Sequence, residues 1–472
     1  MSQKNETKVL LLALLLTAGI VAGAAWLFAP KFGLNFTTPI SDKQENGNEQ
    51  ALEERITFGE KIFTPGEASP AKKEGVQALV NKSYDRAIAN LEASLKVKRN
   101  DPEALIFLNN ARIGSAKSYT IAASVPMGSD PNTSLEILRG IAQAQNEINT
   151  SGGIGGVRLK VAIANDESNP EIAQQIATVL VNNPEVLGVV GPSGSDVTLK
   201  AGKVYDSRQL VAITPTSSSV KISNFSRYIF RTVPSDFMAA RTLANYMVKT
   251  LQKKNAAVFF NSQSNYSQSL KSEFVSSVSL EGGQVSSEFD LSKSDFSAAK
   301  SIEQATKQGA EVLMLAPDTD NLDKALQVVQ VNQKKLTLLG GDTIYTLKTL
   351  EIGRQQATGM IVAVPWHIDA DPKSDFPQKS RQLWGADVNW RTALSYDATR
   401  ALIAALARNP TRLGVQQILS SSDFSTTGAS GTIRFLPSGD RNAPVQLVNI
   451  VPGSRSGTGY DFVPLPATVI KN

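Results

Sequence analysis

Cysteine is absent from this 472-residue chain, and histidine occurs once, at His367. The first absence removes disulfide frameworks, thiolate metal clusters and cysteine nucleophiles together. The second removes histidine dyads and multi-histidine metal sites. Basic residues never gather beyond pairs such as Lys72-Lys73, Lys253-Lys254 and Lys334-Lys335, and with a net charge of +5 that is no nucleic-acid footprint. Neither a Walker-type phosphate loop nor a serine-hydrolase elbow occurs, and no carboxylate pair is placed for acid–base work. Gly152-Gly153-Ile154-Gly155-Gly156 follows a helical pattern and opens a strand, the reverse of a dinucleotide fingerprint, and is expected as a turn. These exclusions speak against an enzyme, and no cofactor is expected.

What is present is ordinary globular material, 41% hydrophobic and 19% charged. At roughly 100 to 200 residues per domain it divides into two to four compact units.

The stretch Val9 to Ala29 carries no charge and is long enough, at about 1.5 Å per residue, to cross roughly 30 Å of hydrocarbon as a helix. Lys4 and Lys8 precede it, and Trp26 and Phe28 stand where an interfacial belt would lie. Residues 1–34 are expected to be a membrane anchor, with a cleaved secretory signal ending near Ala22-Gly23-Ala24 as the alternative. Either way the remainder lies outside the cytoplasm, on the periplasmic or extracellular face. Residues 35–70 are polar and punctuated by Pro39, Pro65 and Pro70, which is expected of a flexible linker. Over 71–113, apolar residues from Val76 to Leu95 recur at helical spacing, and a second helix begins at Asn100-Asp101-Pro102. Gly75, Ala87 and Ser94 have the small-residue spacing of a tetratricopeptide helix pair, either a collar packed on the next domain or a protein-docking surface.

From residue 118 onward strands and helices alternate. Strands are expected at Tyr119–Val125, Val157–Ile163, Val186–Val190, Leu210–Ile213, Ala257–Phe260, Val312–Leu315 and Leu336–Leu339, an α/β pattern with parallel sheets and enough chain for two lobes. Ligands of such sheets lie beyond the carboxyl ends of the strands. The runs found there are Gly191-Pro192-Ser193-Gly194-Ser195-Asp196 and Thr214-Pro215-Thr216-Ser217-Ser218-Ser219, small and rich in hydroxyls. Each suits a carboxylate or other small anion beside a helix N-terminus, though either run taken alone reads first as turn and capping chemistry. Asp342 in Gly340-Gly341-Asp342-Thr343 could meet an ammonium group or cap a helix, and the same ambiguity holds for Asp318 and Asp320. The lone His367, just beyond an apolar strand, is expected to be structural.

Taken in order, Ile148-Asn149, the Gly152–Gly156 run, Asn165-Asp166, Gly191 to Ser195, Thr214 to Ser218, Phe230-Arg231-Thr232, Tyr266, Gly359-Met360 and Ser395-Tyr396-Asp397-Ala398 carry a family likeness. From Tyr119 to about Pro464 the chain resembles the type I periplasmic binding proteins, in the branch typified by the leucine/isoleucine/valine-binding protein of amino-acid ABC importers. The resemblance implies a two-lobed fold with three hinge crossings, spanning 118–472. Lobe one would hold about 118–234 and 363–435, and lobe two about 235–362 and 436–465. It implies that Ser195 with Gly194, and Ser217 with Ser218, hold an α-carboxylate. Asp342, with Asp318 nearby, would lie on the second-lobe wall to meet the α-ammonium, and Tyr266 would close over the ligand backbone. The loop Met127–Ser134 lacks the family's aromatic residue, as does the vicinity of Asp318, which implies a more polar or roomier side-chain pocket than one for leucine. The expected partners are a small polar ligand such as an amino acid, an ABC permease, and the membrane through the N-terminal helix. A sensor signalling to a partner through 71–113 is the alternative.

Overall fold

The computed structural model describes Leu52 and residues 54–466. The expected anchor and half of the expected linker lie outside them. Among the described residues no helix is long and apolar enough to cross a membrane.

Lobe one is built on a six-stranded sheet. Its strands are β1 (Ile56–Thr57), β2 (Ser118–Val125), β3 (Arg158–Asn165), β4 (Val186–Val190), β5 (Ala212–Thr214) and β6 (Ile229–Arg231), in the order β1-β3-β2-β4-β5-β6. Lobe two uses β7 (Asn255–Phe260), β8 (Gln284–Asp290), β9 (Val312–Ala316), β10 (Thr337–Gly340) and β11 (Ile361–Val364). After a hairpin of β12 (Thr426–Gly428) and β13 (Gly431–Ile433), β14 (Gln446–Pro452) and β15 (Tyr460–Pro464) complete it as β15-β14-β11-β10-β9-β7-β8. Helices cover both faces, so β9 and the end of β2 are buried throughout.

The expectation of wholly parallel sheets is corrected. β1 runs antiparallel to β3, and β14 runs antiparallel to both β11 and β15. A parallel neighbour needs a crossover of about a dozen residues, which the short loop between β14 and β15 cannot supply.

The N-terminal region differs from expectation in two ways. Three helices form instead of two, Pro70–Val80, Tyr84–Val97 and Pro102–Ile113. The extra break falls at Lys82, whose φ of 54° interrupts the apolar periodicity with a turn. Gly75 does allow close contact, since a Cβ there would stand 2.8 Å from Leu91. The third helix, however, is buried into lobe one. Ile106 and Phe107 join the core of Ile141 and Val161, and Asn110 Nδ2 donates to the carbonyls of Phe58 and Val161, each at 2.8 Å. The stretch from Glu54 to Ser69 is likewise not linker. β1 extends the sheet, Ile62 and Phe63 pack on the core, and the Phe63 amide donates to Glu103 Oε1 at 2.6 Å.

The chain crosses between lobes three times. It leaves β6 for helix Asp236–Asn245 of lobe two, returns after β11 to helices Phe376–Trp384 and Trp390–Arg408 of lobe one, and passes finally into β14. This last crossing lies later than the expected boundary at residue 435. Leu436 to Arg441 stays with lobe one: the Arg231 amide donates to the Gly439 carbonyl at 3.0 Å, and Arg441 Nη1 pairs with Asp397 Oδ2 at 2.6 Å.

Candidate functional site

The carboxyl ends of β4 and β5 face lobe two across a cavity of about 330 Å³. On the lobe-one wall, Gly194 takes φ 95° as the N-cap of helix Ser195–Ser207, a conformation suited to glycine. Gly194, Ser195, Asp196 and Val197 all line the cavity, so the helix's unpaired first amides and positive dipole end lie at its wall. The two strand-end loops are stitched together by hydroxyls. Thr214 Oγ1 donates to the Pro192 carbonyl at 2.8 Å, Thr216 Oγ1 to Ser193 Oγ at 3.2 Å, and the Ser219 amide to Ser195 Oγ at 3.2 Å.

On the lobe-two wall, the Tyr266 hydroxyl donates to Asp342 Oδ1 at 2.6 Å. Burial raises the Asp342 carboxyl above its ordinary range against the opposing pull of Tyr266, Arg391 and the Thr343 amide. Burial and the charges of Asp342 and Asp236 push the Tyr266 phenol well up, so it remains a donor.

Of the expected residues, Gly194, Ser195, Tyr266, Asp318 and Asp342 share this cavity. Ser217 does not. It is fully buried, its hydroxyl taken by Thr198 Oγ1 at 2.8 Å and Thr214 Oγ1 at 2.9 Å, and Thr216 lines the cavity in its place. Ser218 faces a smaller chamber behind the cavity. Asp318 is engaged within its own lobe, accepting from Asn261 Nδ2 at 2.7 Å and Asn321 Nδ2 at 2.9 Å. His367 is buried, with Nε2 donating to the Phe462 carbonyl at 3.1 Å while Nδ1 accepts from the Asp369 amide. Gly152–Gly156 forms a turn closed by Ile154 and Val157.

Sequence reasoning missed Trp390 and Arg391. The start of helix Trp390–Arg408 brings both into the cavity, the guanidinium 4.3 Å over the indole ring. The aromatic surface missing from Met127–Ser134 is thus supplied from elsewhere in the chain. Arg391 is the one basic residue among those lining the cavity, against Asp130, Asp196, Asp318, Asp320 and Asp342, and Val197 is the one branched aliphatic. No strand-end signal marks these positions, because a helix start more than 150 residues downstream of β6 carries them.

Two α/β lobes joined by three crossings, with one polar cavity between them, have the architecture of a solute-binding protein. The chain belongs to the periplasmic binding protein family, whose model, described as "Periplasmic binding protein", matches residues 118–457. The family's members are solute-binding proteins, not enzymes, and membership implies a periplasmic or extracellular location. An amino acid binding protein of Pseudomonas aeruginosa is 26% identical over 275 residues, covering 57% of this chain and 72% of that one. The leucine-specific-binding protein of Salmonella typhimurium is 24% identical over 302 residues, covering 62% and 79%. In fold the chain is similar to the leucine binding protein LivK of Thermotoga maritima, with a TM-score of 0.65 and 22% identity, covering 74% of this chain and 99% of that one. An ABC transporter substrate-binding protein of Desulfitobacterium hafniense, solved in complex with Leu, gives a TM-score of 0.64 at 21% identity over 74% and 100%.

Proposed function

We propose that the chain is the extracytoplasmic substrate-binding component of an ABC importer, tethered through residues 9–29, and that it captures an amino acid or similar small polar solute by closing its lobes. The observation that carries this is the pairing of opposite chemistries across one cavity. Ser195 and the amides behind Gly194 suit a carboxylate on lobe one, and Asp342 held by Tyr266 suits an ammonium group on lobe two. A ligand touching both walls favours the closed form by its differential affinity for it. Arg391, Asp130 and Asp320 surround the rest of the cavity, which fits a more polar side chain than leucine. The names of the amino-acid-binding and leucine-binding relatives support the same class of solute.

Thermal unfolding of the full chain against amino acids, amides, urea and small carboxylates tests this. Ligand at about 100 times Kd stabilises the fold by roughly 2.7 kcal/mol. Stabilisation confined to α-amino acids and lost in Asp342→Ala and Ser195→Ala is the expected result. A carboxylate lacking an amine that stabilises as well as its amino acid removes the role of Asp342.

The sensor reading has one observation in its favour: the helices of 70–113 are built into lobe one, so a partner docked on them would be joined directly to it. Deleting them strips Phe107 from the core, so the discriminating change is on the surface. Val97→Asp, at a side chain 84% exposed, abolishes partner capture in a sensor and leaves solute delivery intact in an importer component.

A further inference from the structure

Where the three crossings run together they enclose a second chamber, lined by Val233 and Pro234 from the first, Ala363 and Pro365 from the second and Val445 from the third. Its volume of about 10 Å³ accommodates at most one water-sized occupant. Two buried polar groups meet it without partners. Asp236 Oδ2 and Ser218 Oγ make no hydrogen bond, although the residues are only 2% and 3% exposed. The chamber shares Tyr266 and Asp342 with the ligand cavity, so a carboxyl at the hinge stands directly behind the carboxylate that faces the ligand.

A buried carboxylate oxygen with no donor is relieved by taking a proton. The groups facing Asp236 divide. Asp342 favours the protonated form, while the Ser269 and Ser218 hydroxyls, close to the carboxyl but not in hydrogen-bond geometry with Oδ2, and Arg231 favour the ionised one. Arg231 is already engaged with Asp440 Oδ1 at 2.6 Å and with the carbonyls of Ser218 and Ser219. Burial outweighs all of these and holds the Asp236 carboxyl at about 7.

We propose that Asp236 is a proton site coupled to the ligand: a cationic group arriving on Asp342 drives the proton off Asp236, and a proton on Asp236 weakens the hold on that cation. The proposal rests on the amino-acid reading of the cavity. Coupling of this kind is reciprocal, so affinity for an ammonium-bearing ligand rises with pH until the ligand-free Asp236 is ionised. A ligand lacking the amine shows no such dependence.

The test uses the full chain, first without ligand. The unfolding temperature, followed from about pH 5 to about pH 8.5, falls in part because the buried carboxyl ionises, and Asp236→Asn, which mimics the neutral acid, removes that part of the slope. A slope unchanged by Asp236→Asn overturns the proposal. The second arm adds an equimolar mixture of the proteinogenic L-amino acids as probe. Apparent affinity is expected to rise by up to about tenfold per pH unit in the unaltered chain and to be flat over the same range in Asp236→Asn. Equal pH dependence in both proteins overturns the coupling and leaves amino-acid binding standing. No stabilisation at any pH in either protein overturns the amino-acid reading and the coupling with it.

Discussion

The backbone amide of Asn265 donates to Asp196 Oδ2 at 3.1 Å, and the two residues belong to different lobes. Asp196 lies in the first turn of helix Ser195–Ser207, Asn265 opens helix Asn265–Leu280, and the Asn265 side-chain amide reaches the same carboxylate. One lobe thus caps a helix of the other. At a second point Arg455, in the loop between β14 and β15, binds Asp369 and Asp387 of lobe one. The two lobes are therefore held together partly by the protein's own side chains.

Asp196→Ala is expected to shift the population towards the open form and weaken ligand binding about fivefold to thirtyfold, since a charge-assisted hydrogen bond contributes about 1 to 2 kcal/mol here. A larger radius of gyration by solution scattering, with an unfolding temperature near that of the unaltered chain, checks it.

Lys72 Nζ lies 2.8 Å from Asp101 Oδ2 and 2.7 Å from Glu103 Oε2, with all three side chains buried. Removing the cation leaves two buried carboxylates uncompensated. Lys72→Met is expected to lower stability by about 3 to 5 kcal/mol in urea unfolding. Combining it with Asp101→Asn is expected to recover part of the loss.

Asp166 is fully buried at the end of β3, accepting from Ser124 Oγ at 2.7 Å and from the Ser168 amide at 3.0 Å. Burial raises it to about 6 despite these donors. The folded chain therefore binds this proton more tightly than the unfolded chain. The associated stability is complete below about pH 4 and lost as pH rises through about 6, some 3 kcal/mol at most. Asp166→Asn is expected to flatten that limb of the stability–pH curve, read by denaturant midpoints.

Helix Pro131–Thr150 crosses helix Trp390–Arg408 at Gly140, where a Cβ would overlap Ser395 Oγ and the Thr392 carbonyl. Gly140→Ala is expected to cost about 1 to 3 kcal/mol by overpacking. Because the second helix carries Trp390 and Arg391, ligand affinity falls along with the unfolding temperature.

The central parallel strands were legible because each is an apolar run bounded by turn residues, as Val186–Val190 is by Pro184 and Gly191. The edge strand β8, Gln284–Asp290, is polar and half-exposed and was not. Nor was β1, since its two residues stand in a polar stretch and form a strand only by pairing with Ala164 and Ile163. In the site, Gly194, Ser195, Tyr266 and Asp342 followed from strand ends and resemblance together. Ser217 was misjudged because a hydroxyl in the right run can face inward, and composition does not reveal which way it turns. Trp390, Arg391 and Asp236 depend on contacts between distant segments, which no local spacing encodes.

β1 forms the outer edge of one sheet and β15 the outer edge of the other. If the importer proposal holds, a tether on the N-terminal side of β1 would grip lobe one alone, and lobe two would be the free arm of a lever. Shutting the cleft would then require no slack in such a tether, and the separation of β1 from β15 would gauge how far the arm had travelled.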